Sequence, residues 1–383
     1  MKKRTSILIL VSLLLLALTN CIDEFNAKLP GDSVGMLVVD GNIISDSTVV
    51  FSLSRTFSLN EERLPGGFNQ IIADVSVVGD DGSRIIGTSI GNGKYQVQIG
   101  TLNKQVRYGL EVKYEGDTYT SEAQYPIETP AIDEVKFEQP EDYGDISIYL
   151  STQKTDGTVY YIWEYEEDWE VRALYYSLWE YDFLTKKILE YETAPYAQGW
   201  SHAESNKTIV GSTEANTENL IKNKKMYSIA SDNIRISYYY STLIRQRALT
   251  KGEFEYYENK AKQSEGMGGL FTPQPSELPS NITCSNPNKK AIGYVGVNMN
   301  ISEYRLYISV NDIDYDKPYV CIGAPPEDVM SMTNEELYLA GYRVSHRDSK
   351  DEYHWDIIKC VDVRSLGATF NKPSFWPLPD WKY

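Results

Sequence analysis

The chain has 383 residues, enough for two or three domains, and carries 37 Lys plus Arg against 54 Asp plus Glu. A net charge of −17 without a basic stripe excludes nucleic acid as a partner, because phosphate backbones are repelled and the cationic contacts they need are missing. The same charge disfavours adhesion to anionic lipid headgroups, and 30 Tyr, 7 Trp, 16 Pro and 26 Gly suit short strands joined by turns, so the class is mostly β.

At the N-terminus, Lys2, Lys3 and Arg4 precede an apolar run from Ile7 to Leu18, followed by Thr19, Asn20 and Cys21. That run is shorter than the roughly 18 to 20 apolar residues of a membrane-spanning helix, so it predicts a removable signal peptide over residues 1–20. Ending in a cysteine, it resembles a bacterial lipoprotein signal, although Asn20 stands where a small residue is usual. The resemblance implies diacylglyceryl transfer to the Cys21 sulfur, cleavage before it and acylation of the new amino group, which together make a stable anchor. Loss of three basic residues takes the net charge from −17 to −20. Asp23 and Glu24 resemble the surface-export signal of Bacteroidetes lipoproteins, which implies an outer-membrane, lipid-anchored protein facing the cell exterior. Residues 21–33, with Pro30 and Gly31, read as a lipidated tether.

From residue 34 to residue 128, strand and turn signals alternate. Met36 to Ile44, Thr48 to Leu53, Ala73 to Val78, Lys94 to Ile99, Val106 to Val112 and Thr118 to Ser121 are strand-like, and Gly79-Asp80-Asp81-Gly82 predicts a hairpin turn. About seven short strands in some 90 residues predict an immunoglobulin-like β-sandwich. Their order, with Asp-Asp-Gly and then Gly-x-Tyr, resembles carboxypeptidase-regulatory-like β-domains. Asp80 and Asp81 are read as turn formers, not metal ligands. Pro126 and Pro130 mark the predicted boundary with a second, larger β-rich domain spanning 129–383.

Within it, residues 160–200 hold 13 aromatics. Tyr161, Trp163 and Tyr165 share one face at period two, as do Tyr175, Trp179, Tyr181 and Phe183. Core packing is the ordinary meaning of such spacing. The alternative is a stacking platform for glycans or peptides, with Trp169, Tyr175 and Trp179 as the contact residues and Glu164, Glu166, Glu167, Asp168 and Glu170 interleaved. Trp169, among these acids, is expected to be more exposed than Trp163. Thr250-x-x-Glu253 predicts a capped helical insertion over about 251–264, followed by a Pro-rich connection from Gly268 to Ile282.

Three cysteines remain for an oxidising compartment, so at most one intrachain disulfide forms. Cys321 and Cys360 sit in strand-like runs and Cys284 in a loop-like one, which favours Cys321 with Cys360. No Cys-x-x-Cys pair exists, and His346 and His354 are eight residues apart, so no zinc motif is seen. Asp312, Asp314 and Asp316 lack the glycine and final glutamate of a calcium loop. No nucleophile elbow appears either. Neither catalytic residues, metal nor cofactor are expected.

Several segments, taken in order, resemble a family of Bacteroidetes outer-membrane lipoproteins of unknown function, commonly encoded beside TonB-dependent receptors. They include Tyr161-x-Trp163-x-Tyr165-Glu166-Glu167-x-Trp169-Glu170, Arg245-Gln246-x-x-Leu249-Thr250, Gly268-Gly269-Leu270-Phe271-x-Pro273, and Cys360-x-Asp362-x-Arg364 with Lys372-Pro373-x-Phe375-Trp376. Val363 stands where many members carry a second cysteine. The resemblance implies a non-enzymatic accessory or ligand-binding component of a TonB-dependent nutrient uptake system. A surface hydrolase of glycans or peptides, which needs a carboxylate pair that counting does not reveal, and a structural or adhesive surface protein are the alternatives.

Overall fold

Period-two burial shapes the strand Thr48–Arg55, where Val49, Phe51 and Leu53 point inward and their neighbours outward. The computed structural model describes residues 35–57, 71–155, 157–205, 207–266, 278–316, 321 and 331–378. Cys21 and its signal, and most of the Pro-rich connection, lie outside the described residues. The protein is mostly β.

The first unit comprises β1 (Leu37–Asp40), β2 (Ile43–Ile44), β3 (Thr48–Arg55), β4 (Asp74–Gly79), β5 (Arg84–Ile86), β6 (Thr88–Gly91), β7 (Lys94–Gln98), β8 (Tyr108–Tyr114) and β9 (Asp117–Ser121). The second contains β10 (Ile132–Glu138), β11 (Ile146–Thr152), β12 (Tyr160–Arg172), β13 (Trp179–Asp182), β14 (Lys187–Glu190), β15 (Gln198–Glu204), β16 (Ile209–Ser212), β17 (Lys224–Ile229) and β18 (Tyr239–Leu249). After the helix Lys251–Gly266 come β19 (Ile282–Cys284), β20 (Ala291–Ile292), β21 (Val297–Asn298), β22 (Ser302–Ser309), β23 (Tyr342–Arg347) and β24 (Tyr353–Ile357).

Two five-stranded sheets, β20-β1-β3-β7-β6 and β19-β9-β8-β4-β5, send apolar side chains into one core that includes Leu37, Phe51, Val75, Val97 and Leu110. The expected limit at residue 128 is crossed here. β19 pairs with β9 and β20 runs parallel to β1, with Leu37 opposite Ala291, so strands from beyond the helix cover an edge of each sheet. An open edge presents unpaired backbone groups, which these short strands satisfy. Two- and three-residue strands carry no periodic signature, which is why the sequence does not announce them. Gly293 permits the approach: its φ is +142°, and a Cβ there would lie 2.1 Å from the Val39 carbonyl oxygen.

The second unit stacks β10-β11-β17 on β15-β12-β18-β22 around Ile146, Ile148, Leu150, Trp163 and Tyr240. Its organising strand is β12, thirteen residues long, paired with β18 from Tyr160↔Leu249 to Glu170↔Tyr239 and with β15 from Glu166↔Glu204 to Arg172↔Gln198. Tyr165 stacks on Tyr227 across the two sheets, with ring centroids 4.1 Å apart.

The helix starts as its capping residue predicts: Thr250 Oγ1 accepts from Glu253 N at 3.2 Å. Tyr256 and Tyr257 pack with Tyr160, Ile162, Leu249 and Tyr294. The Glu253 carboxylate takes a backbone hydrogen bond from Thr250 and turns inward to the Arg247 guanidinium at 2.5 Å. A small outer cluster of Tyr181, Leu337, Val344 and Trp355 joins the hairpins β13–β14 and β23–β24 through the helix Asn334–Leu339.

Candidate functional site

Alternation along β12 gives the sheet two unlike faces. Odd-numbered Tyr161, Trp163, Tyr165, Trp169 and Val171 enter the second core. Even-numbered Glu164, Glu166, Asp168 and Glu170 form a row of carboxylates on the opposite face, flanked by His202 and Glu204 of β15, Arg245 of β18, and Glu303 and Arg305 of β22.

From Glu166 to Glu170 these acids are wired, not free. Glu166 takes a bidentate pair from Arg245, at 3.0 and 3.2 Å, and a longer contact from Arg305 at 3.4 Å. Asp168 accepts from Arg305 Nη1 at 3.1 Å through one oxygen and faces His202 Nδ1 at 2.8 Å through the other. Glu170 is fully buried and accepts from Arg172 Nε and Gln198 Nε2, both at 2.7 Å, and from Trp376 Nε1 at 3.1 Å. Charge-assisted bonds of this kind offset the desolvation that an ionised side chain suffers in the interior. Phe375, stacked under Arg305 at 3.6 Å, and Trp376 close this end of the face.

Trp169 is more exposed than Trp163, as expected, but it is not a surface contact residue. Its exposure is 9%, against 0% for Trp163, and both belong to the second core. The flanking acids do not mark a solvent face, because Glu167, Asp168 and Glu170 are themselves buried and each is paired, on one side of the sheet or the other. Glu167 lies on the core side, where Arg235 Nη1 and Tyr240 Oη donate to it at 2.6 and 2.7 Å. Burial, first, and the nearby Tyr227 and Glu167 hold the Tyr240 hydroxyl well above the usual phenol range.

Nor do Trp169, Tyr175 and Trp179 make one surface. Tyr175 is half-buried and lies 6.5 Å from the His346 ring, while Trp179 packs edge-on against Tyr353 in the outer cluster. Asp80, in the predicted hairpin turn, accepts from Arg107 Nε at 2.9 Å, which holds its carboxyl below the usual range. Cys321 and Cys360 form a disulfide, with Cα atoms 5.7 Å apart, and Cys284 on β19 is a free, half-buried thiol.

At the other end of the carboxylate row, the polar face meets the first unit. A cleft of about 630 Å³ opens there, lined by Asp40 and Asn42 beside β1, Glu164 of β12, Lys207 in the loop between β15 and β16, and Tyr257 and Lys260 of the helix. Its volume is that of a small-molecule site, and junctions between units are where such sites commonly form. The loop exists because β12 changes partner, from β15 at Glu166 to β16 at Trp163, leaving Ser205, Lys207 and Thr208 to turn over the cleft. Sequence reasoning missed this site, since its walls come from segments more than 200 residues apart. Two residues farther along β12, Glu166, His202 and Glu204 each offer a donor atom, and these atoms all lie within 4.8 Å of one another. The signal for them was period-two spacing on a strand, whereas metal pairs are usually sought at helical spacing or in cysteine motifs.

Among the described residues, no helix is long and apolar enough to cross a membrane. Residues 22–305 match the family described as Domain of unknown function (DUF4249), and the chain belongs to that family. No curated protein matches it. Among solved structures, a DUF4785 family protein from Legionella pneumophila subsp. pneumophila str. Philadelphia 1 aligns at 10% identity with a TM-score of 0.19, over 56% of this chain and 53% of the other. The alignment thus spans about half of that structure, and a score this low bears on neither fold class nor function.

Proposed function

We propose that this DUF4249 chain is a lipid-anchored protein of the outer-membrane surface that binds a nutrient ligand, glycan or peptide, and works with a TonB-dependent receptor. The observation that carries the binding role is the cleft at the junction of the two units. Its lining combines carboxylates, amines, an amide and an aromatic ring, which suits a polar ligand rich in hydrogen-bonding groups. The signal ending at Cys21 and the acidic pair after it support the location, and the order of family segments supports the receptor. We read the first unit as an immunoglobulin-like module; two facing sheets of short strands around one core support that reading.

A second reading has its own observation: Asp40 and Glu164 both line the cleft, and two facing carboxylates are the equipment of glycoside hydrolysis. Binding without turnover is favoured because the row that Glu164 belongs to is committed to ion pairs from Glu166 onward.

The test is affinity purification of the full chain from detergent-solubilised outer membranes, expected to bring down a TonB-dependent receptor. Cys21→Ala is expected to leave the membrane fraction. A mutant that stays membrane-bound after a high-salt wash refutes the anchor, and purification without a receptor at near-native expression refutes the partnership. Cleavage of an offered glycan that is lost in Asp40→Asn or Glu164→Gln moves the assignment to hydrolase.

A further inference from the structure

We propose that Glu166, His202 and Glu204 form a binding site for a divalent transition-metal cation of the zinc class, built on the polar face of β12 and β15. The register carries the argument. Glu166 lies directly opposite Glu204, and His202 sits two residues along the same strand opposite Asp168, so alternation places all three side chains on one face of two adjacent strands. Their donor atoms fall within 4.8 Å of one another. Zinc ligands at about 2.0–2.1 Å from the ion stand closer together than that. Glu204 is exposed and can swing in, while Glu166 is held by Arg245 and the His202 ring by Asp168.

His202 is prepared for the role. A carboxylate only accepts, so the 2.8 Å contact with Asp168 Oδ1 requires the hydrogen on Nδ1 and leaves the lone pair of the neutral ring on Nε2. Asp168 is itself buried and pinned through its other oxygen by Arg305, which makes it a fixed orienting group. A buried carboxylate that sets the tautomer of a half-exposed histidine is the usual outer support of a metal-binding imidazole. Glu166 retains lone pairs for a cation beside Arg245, since a carboxylate offers about four acceptor sites. Local charge favours a cation too: Glu164, Glu166, Asp168, Glu204 and Glu303 face two guanidiniums, Arg245 and Arg305. One imidazole with two carboxylates selects zinc-class ions over calcium or magnesium, and three protein ligands leave a position open for water or a bound molecule's donor.

The site stands whether or not the cleft binds a nutrient, so its test is separate. The full chain, purified in mild detergent and stripped with chelator, is titrated with Zn²⁺ or Co²⁺ by calorimetry and, for Co²⁺, by its visible absorption bands. One saturable site is expected. His202→Ala and Glu204→Gln are each expected to weaken it by roughly 10-fold or more, in line with losses from disturbed metal shells. Both replaced side chains are exposed, and melting of the metal-free variants checks that each is folded. His346→Ala, in the stacked His346–His354 pair of the outer cluster, is the control and is expected to bind as the parent does. No saturable binding at millimolar metal overturns the proposal. So does binding that survives both His202→Ala and Glu204→Gln, or that His346→Ala abolishes.

Discussion

Breaking the Arg247–Glu253 pair should destabilise the protein far more than removing it whole. Glu253, in the first turn of the helix, is 1% exposed, and Arg247 on β18 is 8% exposed. Their 2.5 Å contact is backed by a 3.3 Å bond from Arg247 to Asn298 Oδ1 and by the Tyr257 ring 5.8 Å from the guanidinium. Burial pushes the Glu253 carboxyl above the usual range, while the Arg247 charge pulls it back. Glu253→Ala strands a guanidinium in the interior, and Arg247→Ala strands a carboxylate; either costs roughly 3–5 kcal/mol. Replacing both, as Arg247→Met with Glu253→Leu, removes the buried charges together. Such replacements are often neutral or stabilising by about 1–4 kcal/mol, though here Asn298 loses a donor, which costs roughly 1–3 kcal/mol. The double variant should therefore lie within about 2 kcal/mol of the parent, well short of the sum of the singles. Urea unfolding followed by tryptophan fluorescence measures all four corners, with an unchanged m-value as the check that the unfolded states are comparable. Single-variant losses under about 1 kcal/mol, as for exposed pairs, would refute the reasoning, as would an additive double variant.

Trp163→Ala and Trp169→Ala should both lose roughly 3–5 kcal/mol in the same unfolding assay. Trp163 should lose more, because its Nε1 donates to Gln246 Oε1 at 2.8 Å whereas Trp169 Nε1 has no partner; a near-neutral Trp169→Ala would return it to the surface. Alkaline titration followed by phenolate absorbance should show a delayed group of tyrosines, since burial pushes Tyr161 and Tyr256 up to about 12. With the folded pKa above the unfolded one, stability is intact below about pH 10 and falls as pH rises toward 12; smooth ionisation of every tyrosine near pH 10 contradicts the burial.

Local chemistry was legible in the residue order. Alternation in β1, β3 and β7, the Asp80-Asp81-Gly82 turn and the Thr250 helix start all rest on contacts within a few residues, where propensity and period dominate. The aromatic density of residues 160–172 announced a major strand, and period two placed Tyr161, Trp163 and Tyr165 on one face. What that pattern left open was the meaning of the acids beside Trp169. A glutamate in a strand reads the same whether it faces water or a guanidinium, and only the sheet order brought Arg235, Arg305 and Trp376 to Glu167, Asp168 and Glu170. Tertiary structure alone also decided that β19 and β20 return to the first unit, that Asp40 and Lys260 share a cleft, and that Glu166 meets His202 and Glu204. The physical reason is the range of the forces: periodicity records which face of a strand is apolar, whereas pairing between strands is settled by edge satisfaction and packing among segments distant in the chain.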